Sequence, residues 1–367
     1  MKIHMGNLFL CVYKVVPPKT VFTAIFAAVA FFVLVTPITC NAQDAQFTQF
    51  HAAPLYINPA MTGSTGDARA VVNYRDQWFR MPVNYQSSMA SFDHHIRRYG
   101  FSYGVLLKND RIGPNASLPI QQNTFLLSGA YMVKLNRRTT MNLGLQGGVI
   151  QSSLDYSGFI FGDQLNDMGD IGGTAESFSK DNVMMGDFST GALVFAKRWW
   201  AGFAAHHINS PRYSYLGDEF NVPAKFTLQG GYVIPFEFLK RSRVGKLDDK
   251  TLTVTALYKS QGKSDQFSVG VYGHASPFLL GVWYRGIPLI KNNAEGDFNN
   301  DAVAVLMGFK LKGFNIGYSY DITISELPMD RAGSHELSLI YNFSTYKKYR
   351  KKPKKKVDPV VCPIPWM

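Results

Sequence analysis

Apolar and polar side chains alternate in short segments along this chain, from about residue 68 to Phe343. The last segment is the cleanest. Leu337, Leu339, Tyr341 and Phe343 share one face, while Glu336, Ser338 and Asn342 share the other. Successive side chains leave a strand on opposite sides, so a period of two marks a β-strand. Phe101, Tyr103, Val105 and Leu107 repeat the pattern, as do Phe314, Ile316, Tyr318 and Tyr320. Met141, Leu143, Leu145 and Val149 oppose Asn142, Gly144, Gln146 and Gly148.

Fourteen strands are predicted, near 68–76, 85–96, 100–108, 121–134, 140–152, 190–198, 201–208, 224–235, 251–260, 265–275, 277–285, 301–311, 313–321 and 334–343. An even count suits a single-chain bacterial membrane barrel with both ends on the periplasmic side. If the first strand runs outward, the outer connections 109–120, 153–189, 209–223, 286–300 and 322–333 are long, and the inner connections 97–99, 199–200, 276 and 312 are tight. Long outer loops and short inner turns are the rule for such barrels. Two connections break it: 236–250 is long on the inside, and 261–264 is short on the outside. A soluble β-sandwich also alternates, but it usually exposes charge on its outer faces. The second face here is mostly Gly, Ser, Thr, Asn and Gln, which fits a wet or partly plugged lumen. Tyr74, Trp78, Trp199, Trp200, Trp283 and Tyr284 fit interfacial girdles. The expected fold is therefore all-β, an antiparallel transmembrane β-barrel of the bacterial outer membrane with about 14 strands.

The N-terminus supplies the export signal. Lys14 and Lys19 precede an apolar run from Val21 to Val35, and the small residues around Asn41-Ala42 offer a cleavage site. Residues 1–42 are read as a signal peptide, ahead of an uncleaved anchor or lipidation at Cys40. Cleavage would leave Cys362 as the lone cysteine, free or paired with another molecule. The formal charge of +12 is unevenly spread, because Lys347–Lys356 reads KKYRKKPKKK. Without that tail and the signal the body is near neutral, which argues against a nucleic-acid surface. Residues 344–367 are expected to form a basic periplasmic tail, able to dock electrostatically on an acidic partner or on outer-membrane lipid headgroups.

Residues 43–67 do not alternate, and Pro54 and Pro59 break any strand there. Phe47, Phe50, Leu55, Tyr56 and Ile57 give the segment more apolar surface than a free linker needs. It is read as a periplasmic lead-in that plugs the lumen or caps the periplasmic mouth.

Several blocks then resemble a known family. They are Gln43–Phe50, Ala53-Pro54-Leu55-Tyr56-Ile57-Asn58-Pro59-Ala60-Met61-Thr62-Gly63, Asn73–Trp78, Ser91-Phe92-Asp93, Phe161-Gly162-Asp163-Gln164, Gly333–Leu339, and a basic tail closing on Cys362-Pro363. Together they resemble the PorP/SprF family of outer-membrane proteins of the Bacteroidetes. The resemblance implies a non-enzymatic barrel of the type IX secretion system and, in gliding species, of the motility machinery. It implies as partners the periplasmic ring-forming lipoprotein and its companion, and a secreted adhesin or other client with a type-B C-terminal signal. The residues expected to meet partners are Asn58, Pro59, Asp163, Gln164, Lys351, Lys352, Lys354, Lys355, Lys356 and Cys362. Ala45, where a Pro is common in the family, and the Trp366-Met367 ending depart from its pattern.

Chemistry is otherwise sparse, and no cofactor is implied. His94-His95 and His206-His207 are adjacent on strands, so each pair is expected to point one ring in and one out, and neither grips a metal. Asp93 beside His94 has the same facing problem. The acidic residues Asp163, Asp167, Asp170, Glu176, Asp181 and Asp187 lack EF-hand spacing and read as a solvated loop. A passive porin or a FadL-like transporter of apolar solutes is the alternative function, and a rim-active enzyme the third.

Overall fold

The computed structural model describes residues 44–81, 83–113, 120–155, 182–215, 220–235, 250–287, 301–311, 313–324, 333–343 and 361–364. Fourteen antiparallel strands close into one barrel: β1 (Ala68–Gln77), β2 (Tyr85–Ile96), β3 (Phe101–Ile112), β4 (Ile120–Lys134), β5 (Thr139–Leu154), β6 (Asn182–Ala196), β7 (Trp199–His206), β8 (Lys225–Pro235), β9 (Lys250–Gln261), β10 (Ser264–Ala275), β11 (Phe278–Ile287), β12 (Ala302–Leu311), β13 (Phe314–Thr323) and β14 (Ser334–Phe343). Each strand pairs with its sequence neighbours. The seam is β1 on β14, from Ala68 opposite Phe343 to Gln77 opposite Ser334. Closure leaves no edge whose backbone groups would lack partners in lipid.

The alternation sorts side chains as expected. On β3, Phe101, Tyr103 and Leu107 are exposed outward, while Ser102, Leu106, Lys108 and Asp110 are buried inward. The outer band is apolar throughout, with Leu145 69% and Leu280 60% exposed. The tight connections 97–100, 135–138, 197–198, 276–277 and 312–313 gather at one end, hereafter the turn mouth. The strand ends that flank 78–84, 113–119, 155–181, 207–224, 288–301 and 324–333 lie at the other, the loop mouth. The two exceptions to loop length also stand: β8 ends at Pro235 and β9 begins only at Lys250, both at the turn mouth, and two residues join β9 to β10 at the loop mouth.

Some expectations fail for local reasons. β6 begins at Asn182, eight residues before the predicted 190, so the outer connection shrinks to 155–181. Met184 and Phe188 do alternate outward there, but Gly186 and inward Asp187 dilute the pattern. Asp187 is therefore a buried strand residue and not part of a solvated loop. Trp199 and Trp200 open β7 and do not form the turn. Because neighbours on a strand face opposite ways, Trp199 meets the outside while Trp200 is buried inward; Trp283 is likewise inside, and neither belongs to a girdle. His206 and His207 are both buried, because β7 ends at His206 and His207 takes a left-handed conformation with φ 54° that swings it back inward. His94 and His95 do split, with His95 inward on Ser102 Oγ at 2.8 Å.

The lipid face gives a depth-dependent test. Leu145→Arg, in the middle of β5, should cost about 2–4 kcal/mol of folding free energy, and Leu311→Arg, at the turn-mouth end of β12, about 0–1 kcal/mol. Denaturant titration of the barrel in lipid vesicles reads both.

Candidate functional site

Residues 44–66 run through the lumen. Their only regular pieces are a 3₁₀ turn at Phe50–Ala52, one α-helical turn at Pro54–Ile57 and a 3₁₀ turn at Pro59–Met61. Pro54 and Pro59 each sit at the start of a turn, where a missing N–H costs nothing. Such short turns leave most backbone groups without internal partners, so the wall must supply them.

At the loop mouth Asp44 meets Lys225 and His207, with His207 Nε2 at 2.9 Å, and Gln261 Nε2 donates to Asp44 Oδ1 at 3.2 Å. These partners are the first residue of β8, the residue after β7 and the last residue of β9. Asp187 Oδ1 holds the other ring nitrogen of His207 at 2.8 Å. Burial opposes the charge on Asp44, but Lys225 and His207 outweigh it and hold its carboxyl well below the usual carboxylate range. Burial likewise opposes a charged His207, but Asp44 and Asp187 override it and raise the imidazole to about 9. Tyr56 lies between Lys108 and Lys225, whose ammonium groups stand 5.2 and 4.7 Å from its ring centre.

Deeper in, the Glu336 carboxylate accepts the backbone N–H groups of Thr48 at 2.7 Å and Gln49 at 3.0 Å. Arg75 secures Glu336 at 3.1 Å and Asp321 at 2.7 Å, and donates to Thr48 Oγ1 at 2.8 Å. Arg285 joins Asp321 at 3.1 Å and Asp301 at 2.6 Å. Gln49 is clasped by Ser338 Oγ, which donates to its Oε1 at 2.5 Å, and its Nε2 donates to the Glu336 carbonyl at 3.0 Å. Phe50, Leu55 and Ile57 pack with inward Leu106, Tyr272, Trp283 and Leu306.

Asn58 and Pro59 occupy a dent in the wall. Asn58 Oδ1 caps the following turn by accepting from the Ala60 N–H at 2.8 Å. Its Nδ2 donates to the carbonyls of Ala192 on β6 and Phe203 on β7, at 3.3 and 3.2 Å. The dent exists because the wall there is glycine. A Cβ on Gly191 would stand 2.0 Å from Asn58 Oδ1, and one on Gly144 would stand 2.4 Å from the Pro59–Ala60 backbone. Asn142 Nδ2 donates to the carbonyls of Ala60 at 2.6 Å and Thr62 at 3.0 Å. His206 Nε2 lies 3.1 Å from the Ile57 carbonyl, to which Thr227 also donates.

The plug leaves the lumen at the turn mouth. Asp93 Oδ2 accepts the Gly63 N–H at 2.8 Å, and Arg69 grips that carboxylate with two hydrogen bonds, at 2.9 and 3.0 Å. Arg97, in the first tight connection, donates to the Gly66 carbonyl at 2.9 Å. Cys362 returns to this mouth, and its N–H donates to the Ser64 carbonyl at 3.2 Å. Its thiol is free and buried with Ala60, Met61, Leu193 and Ile364, and burial pushes its pKa up.

Of the expected partner residues, the structure brings Asn58, Pro59 and Cys362 together at the plug's turn-mouth half, all three buried. Asp163, Gln164, Lys351, Lys352, Lys354, Lys355 and Lys356 lie outside the described residues. The expectation that both ends of the mature chain share one mouth does not hold for the described residues. Asp44 is at the loop mouth and Cys362 at the turn mouth, because the lead-in spans the lumen instead of capping one end. The sequence reading missed Asp44, Arg75, Glu336 and the seating glycines as plug contacts. Their signal was available: Arg69, Arg75, Asp93, Asp321 and Glu336 are charges at inward positions of otherwise alternating strands.

These features define an outer-membrane β-barrel whose own N-terminal segment fills the lumen. The chain belongs to the family of type IX secretion system membrane proteins PorP/SprF, whose model matches residues 39–341. Comparison with curated proteins gave no match. Among solved structures it is similar to the TodX deltaS2S3 mutant monoaromatic hydrocarbon channel, at 10% identity and TM-score 0.46 over 79% of this chain and 94% of that one. It is also similar to a Pseudomonas aeruginosa FadL homologue, at 13% identity and TM-score 0.40 over 75% of this chain and 90% of that one. Likenesses this distant carry no argument about transport.

Two outcomes test the cage. Asn58→Asp keeps the cap but turns a donor into an acceptor facing two carbonyls, so it should lower the unfolding midpoint more than Asn58→Ala, which costs about 1–3 kcal/mol. The His207 pKa is raised on folding, so its contribution is complete below about 6.5. That contribution is lost as pH rises through about 9. Proteolysis at residues 44–49 should therefore increase across that window, and His207→Gln should flatten the profile.

Proposed function

We propose that this protein is a non-enzymatic barrel of the type IX secretion and gliding machinery that holds a secreted surface protein and couples it to the periplasmic ring. The observation that carries this is the filled lumen. Segment 44–66 is bonded to the wall from one mouth to the other, so the barrel is built to present surfaces and not to pass solute. The loop mouth faces outside and meets the client, an adhesin or other protein with a type-B C-terminal signal. The turn mouth faces the periplasm, where the tail bearing Lys351, Lys352 and Lys354–Lys356, anchored through Cys362, docks on the ring-forming lipoprotein and its companion. In this orientation the mature N-terminus lies at the outer mouth, having crossed the membrane inside its own barrel.

The reading is tested by co-purification. A tagged client should capture the folded barrel together with the ring protein, and ring capture should weaken at high salt. Changing the seven lysines of 347–356 to Gln should remove the salt-sensitive part. Failure to capture either protein with a folded barrel overturns the proposal. In a planar bilayer the purified protein should show no large steady conductance; such a conductance without partners would instead support a porin or a FadL-like transporter.

A further inference from the structure

The loop mouth contains a polar cavity of about 280 Å³ beside the plug residues Asp44, Ala45 and Gln46. Two wall groups lining it keep unfilled hydrogen-bonding capacity. Lys259, inward on β9, has no hydrogen-bond or ion-pair partner among the described residues. Gln266, directly across the ladder on β10, has a buried Oε1 with no hydrogen-bond partner among the described residues. The direction of that amide is fixed from its other end, since Nε2 donates to Asp301 Oδ2 at 3.2 Å and to Gln46 Oε1 at 3.3 Å. Two neighbouring charges are already matched, Asp44 by Lys225 and His207 and Asp301 by Arg285, while Asp265, also on the lining, accepts from Tyr258 Oη at 3.3 Å. Trp78, held with φ 58°, also lines the cavity.

The same mouth shows how this wall reads a peptide. It takes an irregular chain, 44–49, by one carboxylate and by main-chain N–H groups. Lys225 and His207 hold the Asp44 carboxylate, Gln261 Oε1 accepts the Asp44 N–H at 3.2 Å, and Glu336 accepts the next pair. The cavity repeats that complement with both groups vacant: an ammonium for a carboxylate and an amide oxygen for an N–H. We infer that this cavity binds an acidic residue of a second, extended peptide lying alongside Asp44–Gln46, with its carboxylate on Lys259 and its backbone N–H on Gln266. The inference rests on the reading of the loop mouth as the client side and names the chemistry that would be recognised there.

The test uses the full mature barrel in detergent, titrated with acetyl-GGDGG-amide and acetyl-GGNGG-amide and followed by calorimetry. The aspartyl peptide should bind about tenfold more tightly than its asparaginyl counterpart, the worth of one charge-assisted hydrogen bond. Lys259→Met should erase that preference, Lys259→Arg should retain it, and Gln266→Leu should weaken both peptides. Unfolding midpoints of the three variants check that each barrel is intact. Equal binding of the two peptides, or an unchanged preference in a folded Lys259→Met barrel, would overturn the inference. Sodium acetate matching the aspartyl peptide would overturn its main-chain half. Loss of peptide binding with client capture intact removes the cavity and leaves the proposed function. Peptide binding without client capture does the reverse.

Discussion

The structure depends on one requirement: a segment crossing a barrel without regular structure must still find a partner for each buried backbone group. Residues 44–66 make nine backbone hydrogen bonds among themselves, all within short turns, and for groups these leave over the wall provides carboxylates for N–H groups and amides for carbonyls. Glu336 and Asp93 serve as acceptors near the two ends, and Asn142 as a donor between them. Each carboxylate is buried and so needs its own cation, which Arg75 and Arg69 supply. These four inward charges serve the plug.

That dependence explains what was legible in the sequence. The strands were, because lipid outside and a polar interior enforce a two-residue period over eight or more residues. β14 was placed to the residue. β6 lost its first half because inward Asp187 and outward Gly186 both weaken the pattern, although the first is there to orient His207. The facing of His207 fails for another reason. Alternation predicts side only while the strand lasts, and a left-handed residue reverses it.

The plug itself was half legible. Its apolar residues and prolines excluded both a strand and a free linker. Its path did not follow, because nothing local says that Asp44 pairs with residues 163 and 181 positions away. Composition misleads here as well. A body near neutral gives no sign of inward charge, yet Arg69 with Asp93 and Arg75 with Glu336 are buried pairs that cancel. The Asn58-Pro59 block is informative for its own geometry, but the glycines that receive it are scattered over β5, β6 and β7 and read singly as strand breakers.

The pairing scheme also ties the plug to closure of the barrel. β1 carries Arg69 and Arg75, both inward. Arg69 binds Asp93 on the adjoining β2, whereas Arg75 reaches across the seam to Glu336 on β14 and Asp321 on β13. Opening the seam would leave a buried guanidinium without carboxylates, a loss of roughly 3–5 kcal/mol for such pairs. The same Glu336 holds the backbone of Thr48 and Gln49, and Arg75 also donates to Thr48. Plug and seam therefore share their anchor. A closed barrel with residues 44–49 withdrawn would leave Glu336 buried with fewer donors, and an open seam would leave the plug without its acceptor. Seating the segment and joining the first strand to the last favour one another, so any partner that moves Asp44–Gln49 at the loop mouth acts on the line along which the barrel closes.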